Sequence, residues 1–160
     1  MADLSAVLVS WNVRDLTLRC IQSLKDDGIT DIVVVDNDSS DGSADAIAQH
    51  HPDVRLVRLT ENIGFGPGVN RAVARTSTSF VLVTTPDVYV DEGSTQALQA
   101  ILDEHPDAGF VAPRIDTPDG KLYPSVRRLP GLVDAAAHTR SPVRRALSFC
   151  VTPRSQSSIL

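Results

Sequence analysis

The chain has 160 residues and a net charge of −5, and 42% of its residues are hydrophobic, enough for the core of one domain or of one domain and a fragment. Residues 1–126 carry nine Lys or Arg against nineteen Asp or Glu, and this acidic balance argues against nucleic acid as the main partner. No apolar run approaches the roughly 18 residues of a membrane-spanning helix, and no basic segment typical of a signal peptide is present, so neither is expected.

The first hundred residues alternate short apolar runs with segments of helical periodicity. The runs that predict strands are 6–9, 32–35, 54–59 and 80–83, and the segments that predict helices are 16–24, 44–48, 69–73 and 97–102. Such alternation predicts a mostly parallel sheet covered by helices, an α/β fold. The turn at 39–43 and Ser94 are predicted to supply the N-caps of the second and fourth helices.

A fifth apolar run, 108–112, follows the last of these helices. Further on, Asp119-Gly120 is a hairpin signal between 114–117 and 121–126. No internal repeat is found, so the chain is interpreted as one α/β domain that ends in a hairpin.

The C-terminal part loses this regularity. Residues 132–149 predict at most a weak helix, and residues 152–160 predict an unstructured end, so we divide the chain into a domain over 1–130 and a tail over 131–160. Residues 127–160 hold six Arg and one acid, a net charge of +5. Such a tail can contact an anionic membrane face, although a merely solvated tail is the favoured interpretation.

Two cysteines lie far apart in the sequence, Cys20 in a predicted helix and Cys150 in the tail. Neither lies near a His cluster, so neither a disulfide framework nor a zinc site is expected. A reducing cytoplasm is the default compartment for such a chain, and the basic tail leaves open a location at the inner face of the membrane.

Polar clusters follow each of the four predicted strands. They lie at 10–12, 36–38, 62–70 and 85–87. Right-handed crossovers place the carboxyl ends of parallel strands at one edge of the sheet, which is where open α/β sheets bind ligands. The sequence therefore predicts a binding site built from these four clusters.

Two acids stand out among these clusters. Asp36 ends the second strand, where an acid usually binds a ribose hydroxyl or a base; an N-cap or Asx-turn is the alternative, and it suits Asp38 better. Asp87 follows the fourth strand, and its carboxylate suits a hard divalent cation that in turn binds a diphosphate. A solvated turn acid is an equally simple interpretation of Asp87.

The glycines at 64, 66 and 68 give G-x-G-x-G, which is not the dinucleotide fingerprint and does not follow the first strand. They either present backbone amides to an anion at a helix N-terminus or permit close packing of helix on sheet. Asn70 can face the site from the following helix. Trp11 can stack on a base or pack under the first strand.

The order and spacing of these motifs resemble family 2 glycosyltransferases, in particular the rhamnosyltransferase-like branch, over roughly residues 5 to 132. The residues that carry the resemblance are Val9-Ser10-Trp11-Asn12, Val34-Val35-Asp36-Asn37-x-Ser39-x-Asp41-Gly42-Ser43, Asn62-x-Gly64-Phe65-Gly66 with Asn70, and Pro86-Asp87-Val88. Further matches are Pro113-Arg114, Pro118-Asp119-Gly120, Arg127-Arg128 and Pro130.

The resemblance implies a GT-A (Rossmann-like) fold, a dTDP- or UDP-sugar donor, Mg²⁺ or Mn²⁺, and inverting transfer to a hydroxyl of a glycan or lipid-linked acceptor, in cell-wall or surface polysaccharide synthesis. The residues that it implies for the nucleotide and donor are Ser10, Trp11, Asn12, Asp36, Asn37, Asn62, Gly64, Asn70 and Thr85. It implies Asp87 as the metal ligand.

Two departures from the family pattern are visible. The branch usually has Asn-Pro-Asp where this chain has Thr85-Pro86-Asp87. The family's acceptor half would lie beyond the matching region, and no motif surrounds Asp134, so no general base is assigned. The alternative interpretation is a nucleotide-sugar-binding module without turnover. A phospho-acceptor receiver domain is disfavoured, because its acid pair after the first strand is absent.

Overall fold

Strands and helices alternate from the first strand to the fourth helix, as predicted. The structure, a computed structural model, describes residues 3–117, 119–123 and 150–153. Its elements in chain order are β1 (Leu4–Ser10), α1 (Arg14–Asp26), β2 (Asp31–Asp36), α2 (Ser43–His50), β3 (Arg55–Arg58), α3 (Phe65–Val73), β4 (Phe80–Thr84), α4 (Ser94–Glu104) and β5 (Cys150–Pro153).

The strands form one sheet in the order β3-β2-β1-β4-β5, and all neighbours are parallel except β4 and β5. Ser10 of β1 pairs with Asp36 of β2, and Leu8 of β1 pairs with Thr84 of β4. The chain moves outward from β1 through β2 to β3 and then returns to the other side of β1. The strand order therefore reverses between β1 and β4, and such a reversal is where open α/β sheets hold their ligands.

The core lies on both faces of the sheet because successive strand residues point to opposite sides. On one face, valines of β1 and β2 pack with Ala72 of α3. Right-handed crossovers place α1 and α2 on the other face, since β1, β2 and β3 advance in one direction and β4 in the other. The central strands are buried almost throughout, which is why their sequences are continuous apolar runs.

The fifth strand does not come from the fifth apolar run. Phe110 is 62% exposed, and within 108–112 only Val111 takes part in an isolated bridge. Instead Cys150–Pro153 pairs antiparallel with β4. The prediction that residues from 152 onward are unstructured was therefore wrong for Thr152 and Pro153, because a free edge of β4 accepts this distant segment.

The predicted hairpin is confirmed within residues 113–123. Asp116 and Leu122 form an antiparallel bridge, and the Thr117 N–H donates to the Lys121 carbonyl over 2.8 Å. Gly120 has a φ of +76°, which the turn requires.

The chain divides into two compact units, residues 1–112 with 149–160 and residues 113–148. The predicted boundary at residue 130, the weak helix at 132–149 and most of the basic tail lie outside the described residues. Among the helices that the structure describes, none is long and apolar enough to cross a membrane.

Candidate functional site

Asp36, at the end of β2, carries the most distinctive polar atom of the predicted edge. Its side chain is buried, and Oδ2 accepts a hydrogen bond from the Ser39 N–H over 3.1 Å. Within the described part of the chain, Oδ1 is the buried side-chain oxygen or nitrogen that has no partner. A buried acceptor without a partner is costly, so this oxygen is suited to accept a hydrogen bond from a bound ligand.

Ser10 lies beside Asp36 but faces the interior. Its side chain is fully buried, and its hydroxyl lies 2.7 Å from the hydroxyl of Thr17 in α1. The Ser10 carbonyl accepts a hydrogen bond from the Asn37 N–H over 2.8 Å. Ser10 therefore joins β1, β2 and α1 beneath the edge, and its contact with a nucleoside stays a prediction.

The loop after β1 presents Trp11 and Asn12. Trp11 is 50% exposed, so the indole does not pack under the first strand. Asn12 has a φ of +53°, its Oδ1 accepts from the Ser40 N–H over 2.7 Å, and its own N–H donates to the Ser39 hydroxyl. The Asn12 side chain thus holds the β1–α1 loop against the β2–α2 loop.

Asp41 was not predicted as a site residue, yet it joins the N-termini of α1 and α2. One carboxylate oxygen accepts from the Arg14 N–H, and the other accepts from the Ser43 N–H, each over 3.0 Å. Burial would raise the pKa of Asp41, but these hydrogen bonds and one from the Ser43 hydroxyl lower it below its usual value. The sequence signal was an Asp two residues before the first residue of a helix.

Asn37 and Asn62 connect the end of β2 to the turn before α3. Asn37 Nδ2 donates to Asn62 Oδ1 over 2.8 Å, and Asn37 Oδ1 accepts from the Ile63 N–H over 3.0 Å. Asn62 Oδ1 also accepts from the Gly64 N–H over 2.9 Å. We call this group of four residues the asparagine clasp.

Three glycines at the start of α3 serve different purposes. Gly64 has a φ of +85° and is the N-cap. A Cβ on Gly68 would lie 2.9 Å from Cγ1 of Val9, whereas a Cβ on Gly66 would meet open space. The packing interpretation is thus confirmed for Gly68. Asn70 is an exposed residue of α3.

The turn after β4 presents Asp87 as an exposed side chain beside the buried Pro86. The Thr85 hydroxyl donates to Asp87 Oδ1 over 2.5 Å. The Cys20 thiol lies beneath, 3.6 Å from the Thr85 carbonyl. Burial raises the pKa of Cys20 to about 12; a hydrogen bond with Thr84 lowers this pKa and the charge of Asp87 raises it further. Cys20 is therefore not a thiolate nucleophile.

The described residues contain no group of three or more His, Cys, Asp or Glu side chains that could by itself hold a metal ion. An open hollow of about 310 Å³ lies at the start of α1. It is lined by Asn12, Val13, Arg14, Asp15, Leu16 and Asp41, and neither Asp36 nor Asp87 lines it. The two acids share the carboxyl edge of the sheet through their strands, on either side of β1.

The sequence matches the profile of Glycosyl transferase family 2 over residues 5–150. The chain belongs to this family. The resemblance to this family is thereby confirmed.

Two relatives come from strains of Mycobacterium tuberculosis, CDC 1551 / Oshkosh and ATCC 25618 / H37Rv, and both are named N-acetylglucosaminyl-diphospho-decaprenol L-rhamnosyltransferase. Each is 36% identical to this chain, and the match covers 67% of this chain and 38% of the relative. The chain thus spans well under half the length of these relatives.

Solved structures of similar fold include a mannosyltransferase from Pyrobaculum calidifontis in complex with GDP-Man and Mn²⁺. It has a TM-score of 0.67 and 20% identity, over 95% of this chain and 44% of that one. Residues 1–349 of S. aureus TarS give a TM-score of 0.64 and 21% identity, over 82% of this chain and 39% of that one. The predicted GT-A fold is confirmed by these likenesses.

Proposed function

We propose that this glycosyltransferase chain binds a nucleotide-diphosphate sugar, a dTDP- or UDP-sugar, at the carboxyl edge where the strand order reverses. The observation that carries the proposal is the buried Oδ1 of Asp36, which has no partner among the described residues and lies next to β1 at this edge. A carboxylate oxygen there accepts a hydrogen bond from a base or a ribose hydroxyl. The exposed ring of Trp11 offers a stacking surface for the same nucleoside.

Asp87 is proposed as the ligand of Mg²⁺ or Mn²⁺. A single exposed carboxylate fits such an ion, because Mg²⁺ is commonly bound by one or two carboxylates together with substrate phosphates and water. The bound ion would offset charge on the leaving diphosphate. Thr85, through its hydrogen bond to Oδ1, holds the Asp87 side chain in place.

The turn before α3 is proposed to lie along the diphosphate. Gly64 begins the helix without a side-chain cap, and N–H groups at a helix N-terminus favour an anion. Asn70 would line the donor from the same helix. With these assignments, the donor is contacted from the end of β2, from α3 and the turn before it, and from the turn after β4.

The proposed reaction is inverting transfer of a sugar, rhamnose in the first instance, to a hydroxyl of a lipid-linked glycan in cell-wall or surface polysaccharide synthesis. The mycobacterial relatives, named as rhamnosyltransferases of a diphospho-decaprenol-linked sugar, support this choice. The proposed location is the cytoplasm, at the inner face of the membrane if the basic tail binds anionic lipid. A general base that takes the proton of the acceptor hydroxyl completes the chemistry.

Calorimetric titration tests the proposal. The protein is titrated with UDP, dTDP and GDP, each with and without Mn²⁺, and Asp36→Asn is titrated in the same way. We expect UDP or dTDP to bind, and Asp36→Asn to weaken that binding by about 10- to 150-fold, since an impaired hydrogen bond to a charged group costs about 1.5–3 kcal/mol. Absence of binding for both UDP and dTDP would contradict the proposal, whether or not GDP binds.

Transfer is measured separately from binding. Radiolabelled dTDP-rhamnose and UDP-sugars are incubated with a lipid-linked N-acetylglucosaminyl diphosphate, and both transfer and donor hydrolysis are followed. Transfer is the expected result. Nucleotide binding without either reaction would favour the second function, a nucleotide-sugar-binding module without turnover.

A further inference from the structure

We propose that Asn37 is a positioning residue: it fixes the turn before α3 against the end of β2 and does not itself bind the donor. The inference rests on the proposed function, because the two segments that Asn37 joins are the ones assigned to the nucleotide. It also revises the role that the family resemblance implies for this residue.

The side chain of Asn37 is only 3% exposed, and each polar end already has a protein partner. Nδ2 donates to Asn62 Oδ1 over 2.8 Å, and Oδ1 accepts from the Ile63 N–H over 3.0 Å. The backbone N–H donates to the Ser10 carbonyl. A residue whose side chain is buried and paired at both ends holds two segments together and offers little to a ligand.

Two backbone N–H groups decide which way the two carboxamides of the asparagine clasp face. The N–H of Ile63 requires an acceptor, so Oδ1 of Asn37 faces the turn and its Nδ2 faces Asn62. The N–H of Gly64 likewise turns Oδ1 of Asn62 toward the clasp. Position 37 must therefore donate one hydrogen bond, whereas position 62 only accepts.

The clasp connects the two ends of the proposed nucleotide site. Asp36, whose Oδ1 has no partner among the described residues, ends β2 and directly precedes Asn37. Gly64 directly precedes the first residue of α3. Because both segments are held through one carboxamide, Asn37 sets the spacing between the carboxylate assigned to the nucleoside and the turn assigned to the diphosphate. A change in this spacing would weaken nucleotide binding even though every residue that contacts the ligand is still present.

The chemistry of the clasp suggests an isosteric pair of variants, Asn37→Asp and Asn62→Asp. Both add one negative charge, on side chains whose polar ends lie 2.8 Å apart, so each charge repels an anionic ligand from the same part of the proposed site. Aspartate at 62 still accepts both hydrogen bonds, whereas ionised aspartate at 37 cannot donate one. We expect UDP and dTDP to bind Asn37→Asp about tenfold more weakly than Asn62→Asp, because in Asn37→Asp two acceptor oxygens face each other where a hydrogen bond had held the turn, and such a loss costs on the order of tenfold.

Amide hydrogen exchange gives a readout that needs no ligand. The N–H groups of Ile63 and Gly64 should exchange faster in Asn37→Asp than in Asn62→Asp, because only the first variant breaks the clasp. Thermal unfolding of both variants is measured as well. If the two variants unfold at similar temperatures, their difference in nucleotide affinity is not caused by a general loss of stability.

A third variant covers the case in which Asn37→Asp fails to fold. Asn62→Ala removes an exposed partner, breaks the clasp and adds no charge. If the clasp positions the site, nucleotides bind Asn62→Ala more weakly than Asn62→Asp, although repulsion alone predicts the opposite order. The expected result is thus that Asn62→Asp keeps the clasp and binds nucleotides better than Asn62→Ala does.

The outcomes separate the inference from the proposed function. Failure of the unmodified protein to bind either UDP or dTDP would refute the proposed function, and with it the donor-positioning role. If the protein binds a nucleotide but Asn37→Asp equals Asn62→Asp in affinity and exchange, the inference alone is wrong. Weaker binding to Asn62→Asp than to Asn62→Ala would also overturn it, in favour of simple charge repulsion.

Discussion

At the scale of single residues, Gly66 and Gly68 of α3 occupy opposite environments. Alanine at 68 would place its Cβ 2.9 Å from the β-branched Val9, while alanine at 66 would meet open space. We expect Gly68→Ala to lower the free energy of unfolding by about 1–3 kcal/mol through overpacking. Gly66→Ala should leave it unchanged or raise it by up to about 1 kcal/mol, because alanine favours the helix. Urea denaturation of both variants measures the difference, and equal effects would contradict the packing role of Gly68.

His51 makes stability depend on pH. Its side chain is mostly buried, and Nδ1 lies 3.1 Å from the Lys25 Nζ. Burial lowers the pKa of His51 below 6.5, Lys25 and His50 lower it further, and Asp53 opposes them. The unfolded chain therefore binds a proton more readily than the native protein. Neutral His51 makes its whole contribution to the free energy of unfolding above pH 6.5, and this contribution is lost as the pH drops below that value.

The variant His51→Gln isolates this effect, because glutamine is neutral at every pH and can still accept a hydrogen bond from Lys25. Urea denaturation between about pH 7.5 and about pH 5 should show a larger loss of stability for the unmodified protein than for the variant. Parallel curves for the two proteins would show that His51 does not titrate with a lowered pKa.

The sequence predicted which polar residues lie at the carboxyl edge, but not which way they face. Asn12, Asn37 and Ser10 follow or end the correct strands, yet their side chains bind other parts of the protein. Their partners are distant in the sequence, so no local pattern could reveal them. That Asp36 Oδ1 has no partner among the described residues is likewise a property of packing, although the position of the acid was predictable.

At the scale of elements, the N-terminus of α4 is hydrogen-bonded by a residue that is far away in the sequence. Ser94 was predicted as its N-cap, but Gly93 is the N-cap and makes no side-chain cap hydrogen bond. The buried carboxylate of Asp27 instead accepts from the Gly93 N–H over 2.5 Å and from the Thr95 N–H over 3.0 Å. The hydroxyl of Thr95 donates to it as well.

We therefore expect Asp27→Ala to lower the free energy of unfolding by about 1–3 kcal/mol or more, because it leaves buried donors at the start of α4 unpaired. Ser94→Ala is the matched control and should change stability by less than about 0.5 kcal/mol. Urea denaturation of both variants tests this. A larger loss for Ser94→Ala would restore the capping role that the sequence suggested.

The elements that the sequence predicted well are those whose burial is continuous. Strands β1, β2 and β4 are apolar runs because helices cover both faces of a parallel sheet. The run at 108–112 has a similar composition, but Phe110 is exposed and the sheet continues at Cys150–Pro153. Composition shows that a segment can form a strand, but it does not show which segment pairs with the edge of β4.

At the scale of the whole molecule, the sheet divides the proposed donor site into two parts. β2 and β4 pair with opposite sides of β1, so Asp36 and Asp87 lie on either side of the point where the strand order reverses. The asparagine clasp ties the β2 side to α3, whereas Thr85 supports Asp87 from within its own turn. The two acids are thus held by independent groups.

This division predicts separable thermodynamic effects. One carboxylate should bind Mn²⁺ weakly by itself, and a nucleoside diphosphate should strengthen that binding by supplying phosphate oxygens. Linkage requires Mn²⁺ to strengthen the binding of UDP by the same factor, typically about 5- to 150-fold. We expect Asp87→Asn to remove most of this coupling. Asp36→Asn should weaken the binding of UDP similarly with and without Mn²⁺, so the coupling factor survives.

Titrations of UDP at several Mn²⁺ concentrations, with the unmodified protein and both variants, measure the coupling directly. The comparison is internally controlled, because each variant replaces one aspartate by its neutral isostere at the same edge of the sheet. If both variants lose the coupling to the same extent, the two sides of β1 do not have separate roles. If neither variant loses it, the ion is held by groups other than Asp87, and the assignment of this carboxylate to the metal is wrong.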